Sequence, residues 1–362
     1  MKSDSKPASF VMAGGGTGGH VMPALAVARE LRTRGHAVRF IGTRRGLEAK
    51  LVPAESFSIE WIDIGGLNRV GLRKTLVTLA ELPFSVWTAS RMLDRDRPAA
   101  VFSMGGFVAG PVLLAALWKR VPVVVMEPNA IPGFTHRKLA RFAARALVSF
   151  PETVKWFPAG VTEVTGMPVR EEFFAIPPKP RGDKLTILIT GGSQGSRTLN
   201  RAVQESWPLW PKMGEKGGVR LIHQTGPSAY EQLAPAFRAS GIDGEISAFL
   251  TDMPAAFASA DVVVSRAGMS TVSELAAAGK PSILVPLPTA ADQHQLRNAE
   301  AMQRIGAARM VLDAELNGQR LVDEVLRLSQ SPDLLAQMGQ SARSFSKPNA
   351  ASRAAEVLES FR

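Results

Sequence analysis

Two glycine-rich turns hold the residue types that bind phosphate. The first is Gly14-Gly15-Gly16-Thr17-Gly18-Gly19-His20, after the apolar run Phe10-Val11-Met12-Ala13. The second is Gly191-Gly192-Ser193-Gln194-Gly195-Ser196, after Leu185-Thr186-Ile187-Leu188-Ile189. Each precedes a helical pattern. Strand, glycine turn and helix together aim backbone N–H groups and a helix N-terminus at an anion. Neither turn is a G-x-x-x-x-G-K-[ST] loop. The first also lacks dinucleotide spacing, because Thr43-Arg44-Arg45 follows the next strand where an acidic ribose binder would stand. His20 sits at the mouth of the first turn. Its type fits a general base, a helix cap or a phosphate ligand.

Other polar groups stand just after apolar runs. Ser103-Met104-Gly105-Gly106-Phe107 and Met126-Glu127-Pro128-Asn129-Ala130 do so in the first half. Ligands of open α/β sheets bind at the carboxyl ends of strands, so Glu127 and Asn129 are candidates for sugar hydroxyls as well as turn formers. In the second half, Ser265-Arg266-Ala267-Gly268-Met269-Ser270-Thr271-Val272-Ser273-Glu274 enters a helix whose small first residues leave N–H groups open. Glu274 has the type for two ribose hydroxyls, or for a surface carboxylate complementing the helix dipole. Gln295, in Asp292-Gln293-His294-Gln295, both donates and accepts. The triplet Asp94-Arg95-Asp96 lies among arginines and reads as a charge-paired helix end rather than a metal site.

Elements must position these groups. Strands are expected at 10–13, 38–42, 59–64, 99–103, 122–126 and 145–149, with helices at 23–34, 72–93, 110–120 and 135–144 between them. The second half repeats the scheme. Its strands are expected at 185–190, 220–224, 245–249, 261–265, 282–285 and 309–312, with helices at 198–207, 230–239, 253–258, 270–278, 293–305 and 319–328. This alternation predicts two doubly wound α/β domains, Rossmann-like and facing a shared cleft. The Pro-rich stretch Ile176-Pro177-Pro178-Lys179-Pro180 punctuates a linker over 165–182. The expected domains are 1–165 and 166–345, with a last helix in 346–362.

With no cysteine among 362 residues, disulfides and thiolate sites are excluded. Residues 1–165 carry net +10 and the remainder +1, so the basic half suits an anionic surface or substrate. No signal peptide or membrane span is expected. The segment Leu67-Asn68-Arg69-Val70-Gly71-Leu72-Arg73-Lys74-Thr75-Leu76 joins apolar and basic residues. A contact with anionic lipid is expected through Leu67, Arg69, Leu72, Arg73, Lys74 and Leu76, with most of the following helix packed on the sheet. Nucleic acid is disfavoured, since basic and aromatic residues do not interleave.

Taken in order, Gly-Gly-Thr-Gly-Gly-His, Met-Gly-Gly-Phe, Gly-Gly-Ser-Gln-Gly-Ser and the Thr-Val-Ser-Glu run resemble the MurG family of bacterial peptidoglycan glycosyltransferases. The resemblance runs from about Phe10 to the C-terminus. It implies a GT-B fold and inverting transfer of N-acetylglucosamine from its UDP ester to the lipid-linked acceptor lipid I, giving lipid II. It further implies no required cofactor and a peripheral place on the cytoplasmic face of the inner membrane. Other cell-wall or division proteins become candidate partners. Donor contacts are implied at Thr17, Gly18, Gly19, Asn129, Arg170, Ser193, Leu250, Met269, Ser270, Thr271, Val272, Ser273, Glu274 and Gln295. Among these, Ser193 meets the diphosphate, Leu250 uracil through its backbone, and Glu274 the ribose. Gly15, Gly16, Gly105 and Gly106 are implied for the acceptor diphosphate, and His20, or otherwise Glu127, for the catalytic base. Pro128 and Met167 stand where the family often has Gln and Asn. A UDP-sugar 2-epimerase shares the expected architecture and is the rival enzyme reading. A basic membrane- or polyanion-binding module is the non-enzymatic one.

Overall fold

A computed structural model describes residues 7–65, 71–180, 182–210 and 218–362. The chain divides into two units, Met1–Pro168 with Asn349–Arg362, and Val169–Pro348.

The apolar runs of unit 1 become seven parallel strands. They are β1 (Ser9–Gly14), β2 (Ala37–Gly42), β3 (Ser58–Trp61), β4 (Ala100–Gly105), β5 (Val123–Glu127), β6 (Arg145–Val148) and β7 (Thr162–Val164). β4 and β5 are buried at every residue, as strands covered on both faces must be. Helices α1 (Gly18–Thr33), α2 (Glu48–Ala54), α3 (Gly71–Asp96), α4 (Ala109–Trp118) and α5 (Phe134–Leu139) connect them. Strand order is β3-β2-β1-β4-β5-β6-β7. The order reverses between β1 and β4, the switch point where such sheets open a crevice for ligands. Both the first glycine turn and Gly105-Gly106 lie at that point.

Unit 2 repeats the plan with β8 (Leu185–Thr190), β9 (Val219–Gln224), β10 (Asp243–Ser247), β11 (Val262–Ser265), β12 (Ser282–Leu284) and β13 (Ala308–Met310). Its helices are α6 (Glu171–Phe174), α7 (Arg197–Ser206), α8 (Pro227–Ser240), α9 (Met253–Ser259), α10 (Met269–Ala278), α11 (His294–Arg304), α12 (Gly318–Ser329) and α13 (Pro332–Phe345). Strand order is β10-β9-β8-β11-β12-β13. Here the switch point falls between β8 and β11, beside the second glycine turn and the Arg266–Gly268 loop.

The helix α14 (Ala350–Glu359) belongs to unit 1 and packs on α1. Ala354, Ala355, Val357 and Leu358 join the core that holds Phe10, Leu25 and Leu31. Glu359 receives Arg34 Nη1 at 2.9 Å and pairs with His36 Nε2 at 2.8 Å. Arg353 forks onto Glu163 at 2.7 and 2.9 Å.

Four elements escape the sequence pattern: β7, α2, α6 and α13. β7 and α6 have three and four residues, too few to show a period. α2 and α13 carry Pro53 and Gly339 inside them, residues that read as breakers. β10 starts two residues earlier than expected. Its Gly244 crosses the backbone of Leu221 too closely for any side chain.

Candidate functional site

The first turn is shaped by a carboxylate that the motif does not contain. Glu48, at the start of α2, is fully buried. Its Oε2 accepts the Gly16 N–H at 2.8 Å. Its Oε1 accepts the Thr43 N–H at 3.0 Å and the Thr43 hydroxyl at 2.8 Å. Gly16 stands at φ 89, and a Cβ there would lie 2.9 Å from the Phe107 ring. The Gly16 amide is thus spent on Glu48, which leaves the anion-facing work of this turn to its neighbours. Thr17 is the N-cap of α1, with no side-chain cap bond. Its hydroxyl lies instead 3.1 Å from His20 Nδ1. The His20 ring reaches the second turn of this unit, since a Cβ on Gly106 would come 3.5 Å from Nδ1.

Glu127 and Asn129 meet at the end of β5. Glu127 is 2% exposed, so its charge needs partners. Oε1 accepts the Asn129 N–H at 3.0 Å and its Nδ2 at 3.1 Å. Oε2 accepts the Gly133 N–H at 3.1 Å and pairs with His136 Nδ1 at 3.0 Å. Burial alone would raise its pKa. The His136 contact and the Asn129 bonds outweigh that and hold it below the usual carboxylate value. An ionised carboxylate with four donors orients its neighbours and is a weak proton acceptor. His20, by contrast, is partly exposed at the turn.

In unit 2 the second turn is tightly packed, and its Gly192 N–H donates to Thr190 Oγ1 at 3.1 Å. A Cβ on Gly191 would strike the Ser196 backbone, and one on Gly195 the Thr225 carbonyl. Ser196 caps α7, accepting the Leu199 N–H at 3.3 Å, and Ser193 is left exposed at the tip. Buried Gln224 ties this turn to the next loop. Its Nε2 donates to the Gly192 carbonyl at 2.9 Å, and its Oε1 accepts the Leu250 N–H at 2.9 Å. A base meeting the Leu250 backbone would therefore find the carbonyl.

α10 opens at Gly268 with no side-chain cap, so its first N–H groups are not taken up by an N-cap side chain. Met269, Val272 and Ser273 are buried, whereas Ser270 and Thr271 are partly exposed. Glu274 lies 3.9 Å from Arg170 Nη2 with its side chain 26% exposed. Burial raises its pKa to about 7, against the opposing pull of Arg170. Gln295 Oε1 accepts the Leu287 N–H at 3.0 Å, which leaves Nε2 beside Gly268.

The Asp94-Arg95-Asp96 triplet is spent on ion pairs. Asp94 takes Lys119 at 2.6 Å, Arg95 takes Glu60 at 2.6 Å and Asp96 takes Arg39 at 2.6 Å. Among the described residues no cluster of His, Asp and Glu is arranged to hold a metal ion.

Of the residues expected at lipid, Leu67 and Arg69 lie outside the described residues. So do the side chains of Leu72, Arg73, Lys74 and Leu76. Further along α3, the expected packing on the sheet is only partial. Phe84 is 64% exposed and Trp87 47%, and on α4 Trp118 is 63% exposed. α3 packs on α4, and Lys119 ties the end of α4 to Asp94, two turns beyond Trp87. Trp118 ends an apolar run and is followed directly by Lys119-Arg120, an apolar-basic junction of the kind also found at 67–76. No helix of the described residues is long and apolar enough to cross a membrane.

The sequence matches the glycosyltransferase family 28 N-terminal domain over residues 10–148 and the family 28 C-terminal domain over residues 186–354. The chain belongs to glycosyltransferase family 28. A family 28 relative from Solibacter usitatus is 60% identical over 97% of this chain and 96% of its own. It is named UDP-N-acetylglucosamine--N-acetylmuramyl-(pentapeptide) pyrophosphoryl-undecaprenol N-acetylglucosamine transferase. The crystal structure of MurG from Acinetobacter baumannii matches with a TM-score of 0.81 at 31% identity, covering 98% of this chain and 100% of that one. A UDP-N-acetylglucosamine 2-epimerase structure from Listeria monocytogenes matches at 15% identity with a TM-score of 0.68, a likeness of fold alone. The two parallel sheets are those of the GT-B glycosyltransferases.

Proposed function

We propose that this family 28 chain transfers N-acetylglucosamine from UDP-N-acetylglucosamine to the C4 hydroxyl of the muramoyl sugar of lipid I, forming lipid II for peptidoglycan. The observation that carries the reading is the 60% identity, over nearly the whole chain, to a transferase of that name. Each unit has chemistry suited to one substrate.

Unit 2 takes the donor. The Leu250 carbonyl meets the N–H of uracil, and Glu274 accepts the ribose hydroxyls beside Arg170. The diphosphate sits on Ser193 and the second turn, and Met269–Ser273 and Gln295 line the rest of the donor. As the glycosidic bond breaks, charge grows on the departing UDP. The N–H groups at the start of α7 and α10 are already aimed, so stabilising that charge costs little reorganisation.

Unit 1 takes the acceptor. Gly15 and Gly106 present the backbone to its diphosphate, and Gly105, whose N–H is held by Ser103 Oγ, shapes the turn that does so. Gly16 stays in this group as the residue that closes the turn through Glu48. Thr17, Gly18, Gly19 and Asn129, although in unit 1, meet the donor's sugar. His20 takes the proton of the attacking hydroxyl, with Thr17 holding its Nδ1 side, and attack from the face opposite UDP inverts the anomeric centre. Transfer without a metal cofactor is part of the proposal.

The setting is the cytoplasmic face of the bacterial inner membrane. Three exposed aromatics on α3 and α4, in a half carrying net +10, support attachment to anionic phospholipid. Association with other cell-wall or division proteins belongs to the same reading.

The test is radiolabelled UDP-N-acetylglucosamine with a lipid I analogue, with and without a chelator. Label should move to the lipid product in both arms. Label remaining in the nucleotide fraction, or converted to an epimer without acceptor, would overturn the reading. Loss of transfer in the chelator arm alone would overturn its metal-free part.

A further inference from the structure

Beneath its Gly105-Gly106 turn, unit 1 buries a Ser–His–Glu chain. Ser103 on β4, His136 in α5 and Glu127 on β5 are 0%, 1% and 2% exposed. Ser103 Oγ lies 3.0 Å from His136 Nε2, and His136 Nδ1 lies 3.0 Å from Glu127 Oε2. The order is that of a hydrolytic triad. A hydroxyl with no exposed surface cannot reach a substrate carbonyl, however, and both ends of this chain are committed. Ser103 Oγ accepts the Gly105 N–H at 3.1 Å. Glu127 Oε1 accepts both N–H groups of Asn129.

What the chain joins is two turns. One is Gly105-Gly106, held at φ 84 and 81, where glycine alone is comfortable. The other is the Asn129 loop. The helix α5 grips the first turn twice more. Thr135 Oγ1 donates to the Gly106 carbonyl at 3.1 Å, and a Cβ on Gly105 would come 3.2 Å from His136 Cε1. Glu127 is held ionised and can only accept, so a proton on His136 Nδ1 points at it, which leaves Nε2 of the neutral ring to accept the Ser103 hydroxyl. With Nδ2 drawn to Glu127, the Asn129 side chain turns its carbonyl oxygen away from the carboxylate.

We infer that His136, acting with Ser103, is a positioning residue that locks the Gly105-Gly106 turn and the Asn129 loop into one geometry. The inference rests on the transfer reading above, in which the first turn meets the acceptor diphosphate and Asn129 the donor sugar. It adds that one buried linkage sets both.

The test is steady-state kinetics of the full chain with UDP-N-acetylglucosamine and a lipid I analogue, plus a thermal unfolding curve for each variant. Ser103→Ala cuts only the link to Gly105. The acceptor KM should rise about five- to tenfold, the worth of about one hydrogen bond, while the donor KM holds. His136→Phe cuts both links, and both KM values should rise by a similar factor. His136→Gln, whose amide NH2 can donate to Glu127 and whose carbonyl can accept from Ser103 in place of the two ring nitrogens, should restore most of both. Loss of folded protein alone lowers the apparent kcat and leaves both KM values unmoved, so that pattern overturns the inference. If His136→Phe does not fold, Ser103→Ala decides, and an unchanged acceptor KM in it overturns the inference as well. A wild-type chain that transfers no sugar sinks the transfer reading and this with it. Normal wild-type transfer beside variants with unmoved KM values removes the positioning role alone.

Discussion

His20 lies beside two backbone turns and one hydroxyl, and the work proposed for it is the transfer of a single proton. Replacing it with alanine should lower kcat by about 10²- to 10⁴-fold, the usual range for a lost general base. Calorimetric affinity for UDP-N-acetylglucosamine should stay near wild type, and unchanged turnover would remove His20 from that role. Glu274 predicts a pH effect. Its native pKa of about 7 stands above the ordinary 4.5, so the native state holds a proton that the unfolded chain has lost between those values. Its contribution to stability therefore falls as pH rises through that window. Ribose hydroxyls donate to the ionised form, so donor affinity should rise from pH 6 to pH 8. Glu274→Gln should bind donor more weakly and flatten that slope. Titration calorimetry of both proteins at the two pH values checks it. The glycines, His20, Ser193 and Glu274 were legible because their motifs are local. Glu48, Gln224 and His136 were not. Their partners lie up to 33 residues away and are brought together only by parallel pairing.

At the scale of elements, α13 shows why a helix can hide in a sequence. Gly339 sits mid-helix where propensity argues against it. A Cβ there would lie 2.7 Å from the carbonyl oxygen of Gly279, the left-handed C-cap of α10. The glycine lets α13 approach α10 closely. Gly339→Ala gains about 1 kcal/mol of helix propensity, but pushing two backbones apart costs about 1–3 kcal/mol. A net loss is expected, read as a lowered Tm, and a raised Tm would show that the helices do not need this contact. The long alternating strands were readable from their apolar runs. α3 was readable as a helix, but not by its faces. An apolar helix lying on a sheet and one with aromatics turned outward share the same period, and only its packing on α4 separates them.

The whole molecule is not two consecutive beads. Unit 1 is closed by α14, which the chain supplies only after all of unit 2. A fragment ending at Pro168 should expose the core that Ala354, Ala355, Val357 and Leu358 cover, and leave Arg34 and His36 without Glu359. Burying one aliphatic side chain is worth about 1.5–3 kcal/mol, so that fragment should unfold at markedly lower denaturant than the full chain. A peptide of Asn349–Arg362 added in trans should recover part of the loss. A fragment as stable as the intact unit would show α14 to be dispensable. The alternation of strands predicted two domains. It held no trace of which one the final helix completes, because that depends on contacts more than 300 residues apart. The same topology imposes an order on biosynthesis. At roughly 5–20 residues per second, the sheet that starts emerging first waits on the order of ten seconds or more for its last helix. A ribosome stalled within unit 2 leaves unit 1 unsealed, so synthesis of unit 2 becomes the checkpoint for maturation of unit 1.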